Sequence, residues 1–505
     1  MGDPGGLDIV IAGGGTAGWM AAAALARFLE DGSRITLVES EAIGTVGVGE
    51  ATIPQIHNFL AALGIAQAEF LAATNATFKL GIEFGGWRAP DHSYIHAFGA
   101  TGRGSGLIPF RQLWLRGRAE GFADDFGAYS PNGVAALAGR MAPPSPQPTS
   151  IPDLVTAFHL DASLFAAFLR NYAEARGVRR EEGRIVNVEQ HGPSGSVTAL
   201  QLEGERRVAG DLFIDCTGFR SLLLGETCGV PFEDWSHWLP NDRAIAVPCA
   251  SSAAFRPYTQ SLARKAGWQW RIPLQHRTGN GHVYCSGAIG DDEAADILLA
   301  NLDGAALGEP RPLRFKAGRR AQAWSGNVVA LGLAAGFMEP LESTSIHLVQ
   351  SGIARLLELL PREAEFAAAR ATFNRVTALE WTQIRDFLIL HYKANGRVGE
   401  PYWDQLRAMP IPDSLASKIA LFEEAGAIVR DEGELFTEEG WGQVMIGQGL
   451  EPRSWSPLAD TIPSGELRDY LATLVHAYRR KAAAMPSHRE HVASLLGLSS
   501  MKEPA

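Results

Sequence analysis

The chain is 505 residues long, 46% hydrophobic and 20% charged, with a formal net charge of -11. That length exceeds what one simple core supports, so two closely packed modules with the composition of a soluble globular protein are expected. The acidic balance has no long basic run to hold a phosphate backbone, and nowhere do eighteen apolar residues follow one another, which excludes a nucleic-acid partner and a membrane-spanning helix.

The opening MGDPGGLDIVIAGGG lacks a basic leader region and its apolar run is broken by glycines, so a cytoplasmic location is expected. LDIVIAGGGTAGWMAAAALARFL reads as a strand, a glycine turn and an Ala-rich helix, and SRITLVES as a second strand, together a βαβ unit. Gly13, Gly15 and Gly18 satisfy GxGxxG directly after the strand, where backbone can approach a pyrophosphate at a helix N-terminus. Glu39 closes the second strand, placed to take ribose hydroxyls. Strand, turn, helix and acid in register point to a dinucleotide, with FAD and NAD both open at this step.

From about Leu60 to Arg140 the pattern is irregular, rich in Gly and aromatics, and it runs into the Pro-rich surface segment MAPPSPQPTSIP. DASLFAAFLRNYAEARGV then reads as an amphipathic helix, and GRIVNVEQ and DLFIDCTGF as alternating strands. The four cysteines, Cys216, Cys228, Cys249 and Cys285, have no CxxC spacing, so buried thiols are expected and neither a disulfide framework nor a metal site. In GWQWRIPLQ, strand alternation puts Trp268, Trp270 and Ile272 on one face as an apolar wall, which can serve a core or line a cavity. GNVVALGLAAGF reads as a later strand ending in small residues, IHLVQSGIARLLELL as the helix behind it, and the chain after about Arg362 as mostly helical.

VGVGEATIP, DCTGFRS and LGLAAGF are small-residue loops near strand ends, suited to a large ligand lying across several loops, and they favour FAD. Many flavoproteins of the hydroxylase type end the late strand in Gly-Asp-Ala, where Leu333 replaces the Asp here. No second strand-linked GxGxxG exists, so reduced flavin is expected to come from outside. The expected fold is α/β: a Rossmann-like FAD module of the glutathione-reductase or hydroxylase type, an interleaved β-sheet substrate module and a mostly helical C-terminal region. Residues 1–60, 155–230 and 310–355 are assigned to the FAD module, and 61–154, 231–309 and 356–505 to the substrate module.

GGGTAGWM, VGVGEATIP, the lysine in FKLGIEF, GWQWRIP and EPLESTSIHL together resemble the flavin-dependent tryptophan halogenases, most strongly over residues 7 to 352. The resemblance implies an enzyme that uses reduced FAD, O2 and chloride or bromide, in which the tryptophan wall keeps the flavin oxidant from the organic substrate so that halide is attacked instead. It implies FAD contacts from Gly13, Gly14, Gly15, Thr16, Ala17 and Gly18 at the turn, from Glu39 and Ser40, and from Gly49, Glu50 and Ala51. Val186, Leu333 and Ile346 complete that set. Halide is expected on the backbone N–H groups of Thr344 and Ser345, although Ser/Thr ahead of an apolar helix is also the ordinary cap signature.

Lys79 matches the family's catalytic lysine, which directs hypohalous acid, and Glu342 the glutamate that stabilises the arenium intermediate or accepts its proton. Without the family, a lysine in a β-like stretch reads as a solvated face. His96 and Phe98 match a pair that sandwiches indole, and Trp441 is a further aromatic at the substrate. Members acting on free tryptophan carry adjacent tyrosines late in the chain; none occur here, so indole or an indole derivative is expected. A separate NAD(P)H-dependent flavin reductase is implied, and a monomer or homodimer. The alternatives are an aromatic hydroxylase on the same scaffold and a non-catalytic flavin-binding protein.

Overall fold

The computed structural model describes residues 6–29, 32–42, 49–147, 149–252, 254–360, 366–499 and 501. The chain divides into two compact units, one of Met1–Ala76, Leu160–Pro240 and Arg314–Trp381, the other of Thr77–His159, Asn241–Leu313 and Thr382–Ala505.

In the first unit the β-branched run DIVIA makes the strand Asp8–Ala12, buried over its last four residues. It pairs in parallel with Arg34–Glu39 on one side and Leu212–Asp215 on the other, and the sheet continues to Arg179–Glu182 and to Val328–Ala330. The register sets Ala12 beside Val38 and Asp215, and Asp215 beside Ala330. The glycine turn, Glu39, DCTGFRS and LGLAAGF therefore all leave the sheet at one edge, the carboxyl edge at which open α/β sheets bind ligands. The helix Thr16–Phe28 leads back from that edge and packs on the helices Ala162–Glu174 and Ser345–Leu359. A Cβ on Gly18 would stand 1.9 Å from the Gly13 carbonyl oxygen, so only glycine lets this helix start so tightly.

In the second unit a mixed sheet runs, neighbour to neighbour, through Arg243–Ala246, Thr278–Tyr284, Gly267–Pro273, Thr259–Arg264, Gly81–Gly85 and Ser93–Ala97. Thr259–Arg264 and Gly81–Gly85 are parallel and the other pairs antiparallel. Small neighbours seat the two indoles of Gly267–Pro273: Trp268 lies between Val283 and Ala263, and Trp270 between Gly281 and Ser261. A Cβ on Gly281 would come within 2.0 Å of the Trp270 ring. The opposite face of the same strand is polar, with Arg271 ion-paired to Asp303 at 2.8 Å. Apart from this sheet, Thr77–Lys79 pairs antiparallel with Ala157–Asp161.

Two sequence expectations are corrected. The stretch between Leu60 and Arg140 is not irregular: it holds the helices Gln67–Thr74, Phe110–Ala119 and Pro131–Leu137, of 8, 10 and 7 residues, besides three strands. Elements that short complete too few periods to declare themselves. Of the four free thiols only Cys249 is buried, the others being half-buried. Among the described residues no single helix is long and apolar enough to cross a membrane.

Candidate functional site

The first unit builds a phosphate-type turn. Gly13 takes a φ of 110°, and a Cβ there would stand 2.2 Å from the Cys216 carbonyl oxygen. Glu39 lies over Gly14, where a Cβ would fall 1.5 Å from its Oε2. Gly15 is the N-cap of the helix, no side chain caps it, and nothing stands within 4 Å of where its Cβ would be. A helix start without a capping side chain and with open space at Gly15 leaves first-turn N–H donors of the kind that suit a pyrophosphate. The Glu39 carboxylate receives Arg180 at 2.5 Å on Oε1 and faces Trp19 Nε1 at 3.4 Å with Oε2. Ser40 follows it directly. Gly183 donates its N–H to the Glu39 carbonyl at 2.8 Å, and three residues on, Val186 is more than half exposed on an antiparallel strand.

The other small-residue loops are shaped by their own contacts. The buried Asp215 carboxylate accepts the N–H groups of Thr217, Leu223 and Leu224 at 2.8 to 3.0 Å, which folds DCTGFRS into its turn. Leu333 borders a cavity of about 260 Å³ with Phe219, Phe232 and Phe337. Of VGVGEATIP, residues 46–48 lie outside the described residues, while Gly49–Ala51 form a short strand. Burial raises the Glu50 carboxyl to about 7. A bare helix start, an acid over the turn and a run of loops on one sheet edge together suit an FAD-sized ligand.

Farther along the same unit, the buried turn Pro340–Glu342 ends in Glu342, 1% exposed. Ser343 is left-handed at φ 60° and ψ 36°, and Thr344 follows at φ -90° and ψ -8°. A left-handed residue followed by a right-handed one curls successive N–H groups into an anion-holding concavity. The helix Ser345–Leu359 starts there with Thr344 as N-cap, yet the Thr344 side chain makes no capping bond. The Thr344 hydroxyl therefore does not form the expected cap, and the Thr344 and Ser345 amides stand at the helix start. Ile346 is buried in that first turn.

In the second unit Lys79 is fully buried at the end of its strand, its Nζ 5.3 Å from the Phe98 ring centre. Phe98 is held there by its N–H, which donates to the Leu80 carbonyl at 2.9 Å. His96, two residues earlier on the strand paired with Gly81–Gly85, is buried with its ring 5.5 Å from Phe387 and 6.2 Å from Phe436. Phe387 and Phe436 stack at 3.7 Å, and Trp441 on the helix Glu438–Gln448 meets Phe387 edge-on at 4.8 Å. The structure so gathers Lys79 with Phe98, and His96 with Trp441, through two phenylalanines that sequence reasoning passed over inside a plainly apolar helix and an acidic loop. Trp268 and Trp270 stand 6.3 Å apart, both buried. The Nε1 atoms of Trp270 and Trp441 are buried without a hydrogen-bond acceptor among the described residues. Under Trp441 lies a buried ion pair, Lys418 to Glu434 at 2.9 Å.

These features have counterparts in known proteins. The family described as tryptophan halogenase matches residues 8–464. Tryptophan 6-halogenase SttH of Streptomyces toxytricini is 36% identical over 520 residues, covering 96% of this chain and 98% of the relative. Tryptophan 7-halogenase RebH of Lentzea aerocolonigenes is 35% identical over 499 residues, covering 90% and 92%. Among solved structures, a flavin-dependent halogenase from Xanthomonas campestris superposes with a TM-score of 0.94 at 47% identity, over 98% of this chain and 99% of that one. The chain thus matches this family over nearly its whole length, and the protein belongs to the tryptophan halogenase family as a flavin-dependent halogenase.

Proposed function

We propose that the protein halogenates an electron-rich aromatic, indole or an indole derivative, with bromide or chloride, O2 and FADH2 delivered by a separate NAD(P)H-dependent reductase. The observation that carries this reading is Lys79, fully buried on a short strand with its ammonium against the Phe98 ring. Taking a lysine cation out of water costs several kcal/mol, so a lysine held wholly inside the protein at a fixed point suits a role in chemistry. Directing hypohalous acid is such a role, because an ammonium offers three donors at a fixed point.

Bound reduced flavin with O2 supplies the two-electron oxidation of halide to hypohalous acid. The first unit's part is to hold the dinucleotide along the glycine turn, Glu39 and Ser40, with Glu50, Val186, Leu333 and Ile346 as further contacts, and the halide on the Thr344 and Ser345 amides. Lys79 hydrogen-bonds the hypohalous oxygen and aims the halogen at the ring; a C–X bond forms, the O–X bond breaks, and the ammonium gives the departing oxygen the proton with which it leaves as water, to be reprotonated from solvent afterwards. Glu342 takes the proton released from the ring carbon. The Trp268 and Trp270 wall screens the substrate from the oxidant.

The curated relatives above are named for tryptophan, but two features favour an indole without the amino-acid head. The rings against His96 are Phe387 and Phe436, with Trp441 packed on Phe387, surfaces for an apolar ring. The nearby Lys418 ammonium is engaged by Glu434 and the Val429 carbonyl rather than offered to an amino-acid carboxylate.

The test combines purified protein, a flavin reductase, NADH and FAD with indole or tryptophan and with bromide or chloride, read by mass spectrometry. Halogenated indole is expected, falling at least about 100-fold in Lys79→Ala while free hypohalous acid persists. Oxygenated indole formed regardless of halide would overturn the reading.

A further inference from the structure

The strand that presents Lys79 is three residues long, too short to fix its own position. On one side it pairs with Ala157–Asp161, Thr77 opposite His159 and Lys79 opposite Ala157. On the other side the Phe78 N–H finds no strand carbonyl; it donates to His488 Nε2 at 3.1 Å. His488 lies on the helix His488–Leu495, beyond the family match that ends at residue 464. Its Nδ1–H donates in turn to the Phe255 carbonyl at 3.1 Å, which fixes the tautomer and leaves Nε2 as the acceptor. The ring is fully buried, with Phe255 at 4.7 Å and Phe78 at 6.2 Å, so it has no room to turn away.

A second histidine secures the neighbouring residue. The Thr77 hydroxyl donates to the Pro273 carbonyl at 2.6 Å, at the end of the tryptophan strand, and so accepts from His159 Nδ1 at 3.1 Å. His159 Nε2 then accepts from the Thr259 hydroxyl at 2.9 Å. Past the lysine, the Leu80 N–H donates to the Pro257 carbonyl at 2.7 Å. On the side away from Ala157–Asp161, the Phe78 N–H, the Thr77 hydroxyl and the Leu80 N–H are thus tied down by a side chain or a loop rather than by a strand.

We propose that His488 is a positioning residue for the halogenation step: as a neutral imidazole it replaces the missing neighbour strand at Phe78 and, with His159 at Thr77, sets where the Lys79 ammonium stands. The inference rests on the reading of Lys79 as the group that directs hypohalous acid. Burial supports the neutral state, holding His488 down to about 3 and His159 well below the usual histidine range. Displacing a directing group by about 1 Å is enough to cost around 100-fold in rate. A misplaced lysine would leave oxidation of halide untouched and lose the oxidised halogen to solvent.

The experiment compares His488→Gln, whose amide oxygen can accept the Phe78 N–H, with His488→Leu, which keeps bulk but no acceptor. Both are assayed with the reductase, FAD, bromide and indole for halogenated indole and for free hypobromous acid trapped by monochlorodimedone. His488→Leu is expected to lower product formed per hypobromous acid released by at least about tenfold, with flavin binding unchanged, and His488→Gln to stay within about threefold of the parent. An unchanged ratio in His488→Leu, or both activities falling in parallel with the folded fraction, would overturn the inference. Should His488→Leu fail to fold, His488→Ala is assayed with and without added imidazole, where recovery of the ratio supports the proposal and no recovery overturns it. The parent protein and Lys79→Ala run alongside: no halogenated indole from the parent would overturn the reading of Lys79 itself, a different result from a normal His488→Leu.

Discussion

Glu50 is the residue whose charge state most directly links the first unit to pH. Burial raises its carboxyl from 4.5 to about 7. A carboxyl whose folded value is raised opposes folding once it ionises, so the protein loses stability as pH climbs from about 4.5 through 7 and recovers it on acidification. Replacing the acid by its neutral amide removes that dependence. Glu50→Gln in the flavin-free protein is expected to match the parent near pH 5 and to exceed it by about 1–3 kcal/mol at pH 8, measured by urea unfolding at the two values. A difference that is the same at both pH values would mean that Glu50 ionises freely. Nothing local in VGVGEATIP announced this behaviour, because burial comes from chain far away in sequence. Lys79 makes the same point with the opposite outcome: its residue type alone reads as a solvated face, only the surrounding motifs set it apart, and the structure buries it completely.

At the scale of elements, the start of the helix Ser345–Leu359 separates two readings that the sequence left joined. STSI before an apolar helix suits a capping hydroxyl and an anion site equally, and the structure lacks the first, since the Thr344 side chain makes no capping bond. Thr344→Val removes the hydroxyl and keeps the shape and the amide. It is expected to cost less than about 0.5 kcal/mol by thermal unfolding, against about 1–2 for loss of a working Thr cap, and to leave the KM for halide within about twofold. A severalfold rise in that KM would place the hydroxyl, not the backbone, at the anion. Elements made by neighbouring residues were readable in advance: strand, glycine turn and helix over Asp8–Phe28, the helix Ala162–Glu174 and the strand Gly267–Pro273. Elements defined by distant partners were not, as with Thr77–Lys79, whose anchor His488 lies 410 residues away.

Across the whole molecule, the order of segments along the chain told which strands belong to a nucleotide-type sheet, because each leaves its small-residue loop on the same carboxyl edge. How the aromatic cluster of the second unit assembles was hidden, since Phe387 and Phe436 meet His96 only through tertiary packing. The two units also differ in their response to acid. In the second unit burial lowers His282 to about 4 and His488 to about 3, and holds His159 well below its ordinary value. A histidine depressed in the folded state takes up its proton only on unfolding, so each favours the unfolded chain progressively as pH falls below about 6.5, by about 1–2 kcal/mol at pH 5. In the first unit Glu50 runs the other way over the same interval. Between pH 8 and pH 5 the second unit is therefore expected to weaken while the first gains. Hydrogen exchange, corrected for intrinsic rates, should show protection falling in Gly267–Pro273 and Thr278–Tyr284 while that of Asp8–Ala12 and Arg34–Glu39 holds or rises. Equal loss in both sheets would mean that the chain opens as a single cooperative body in which these titrations are shared, and His282→Gln with His488→Gln would then be expected to flatten the acid response of both together.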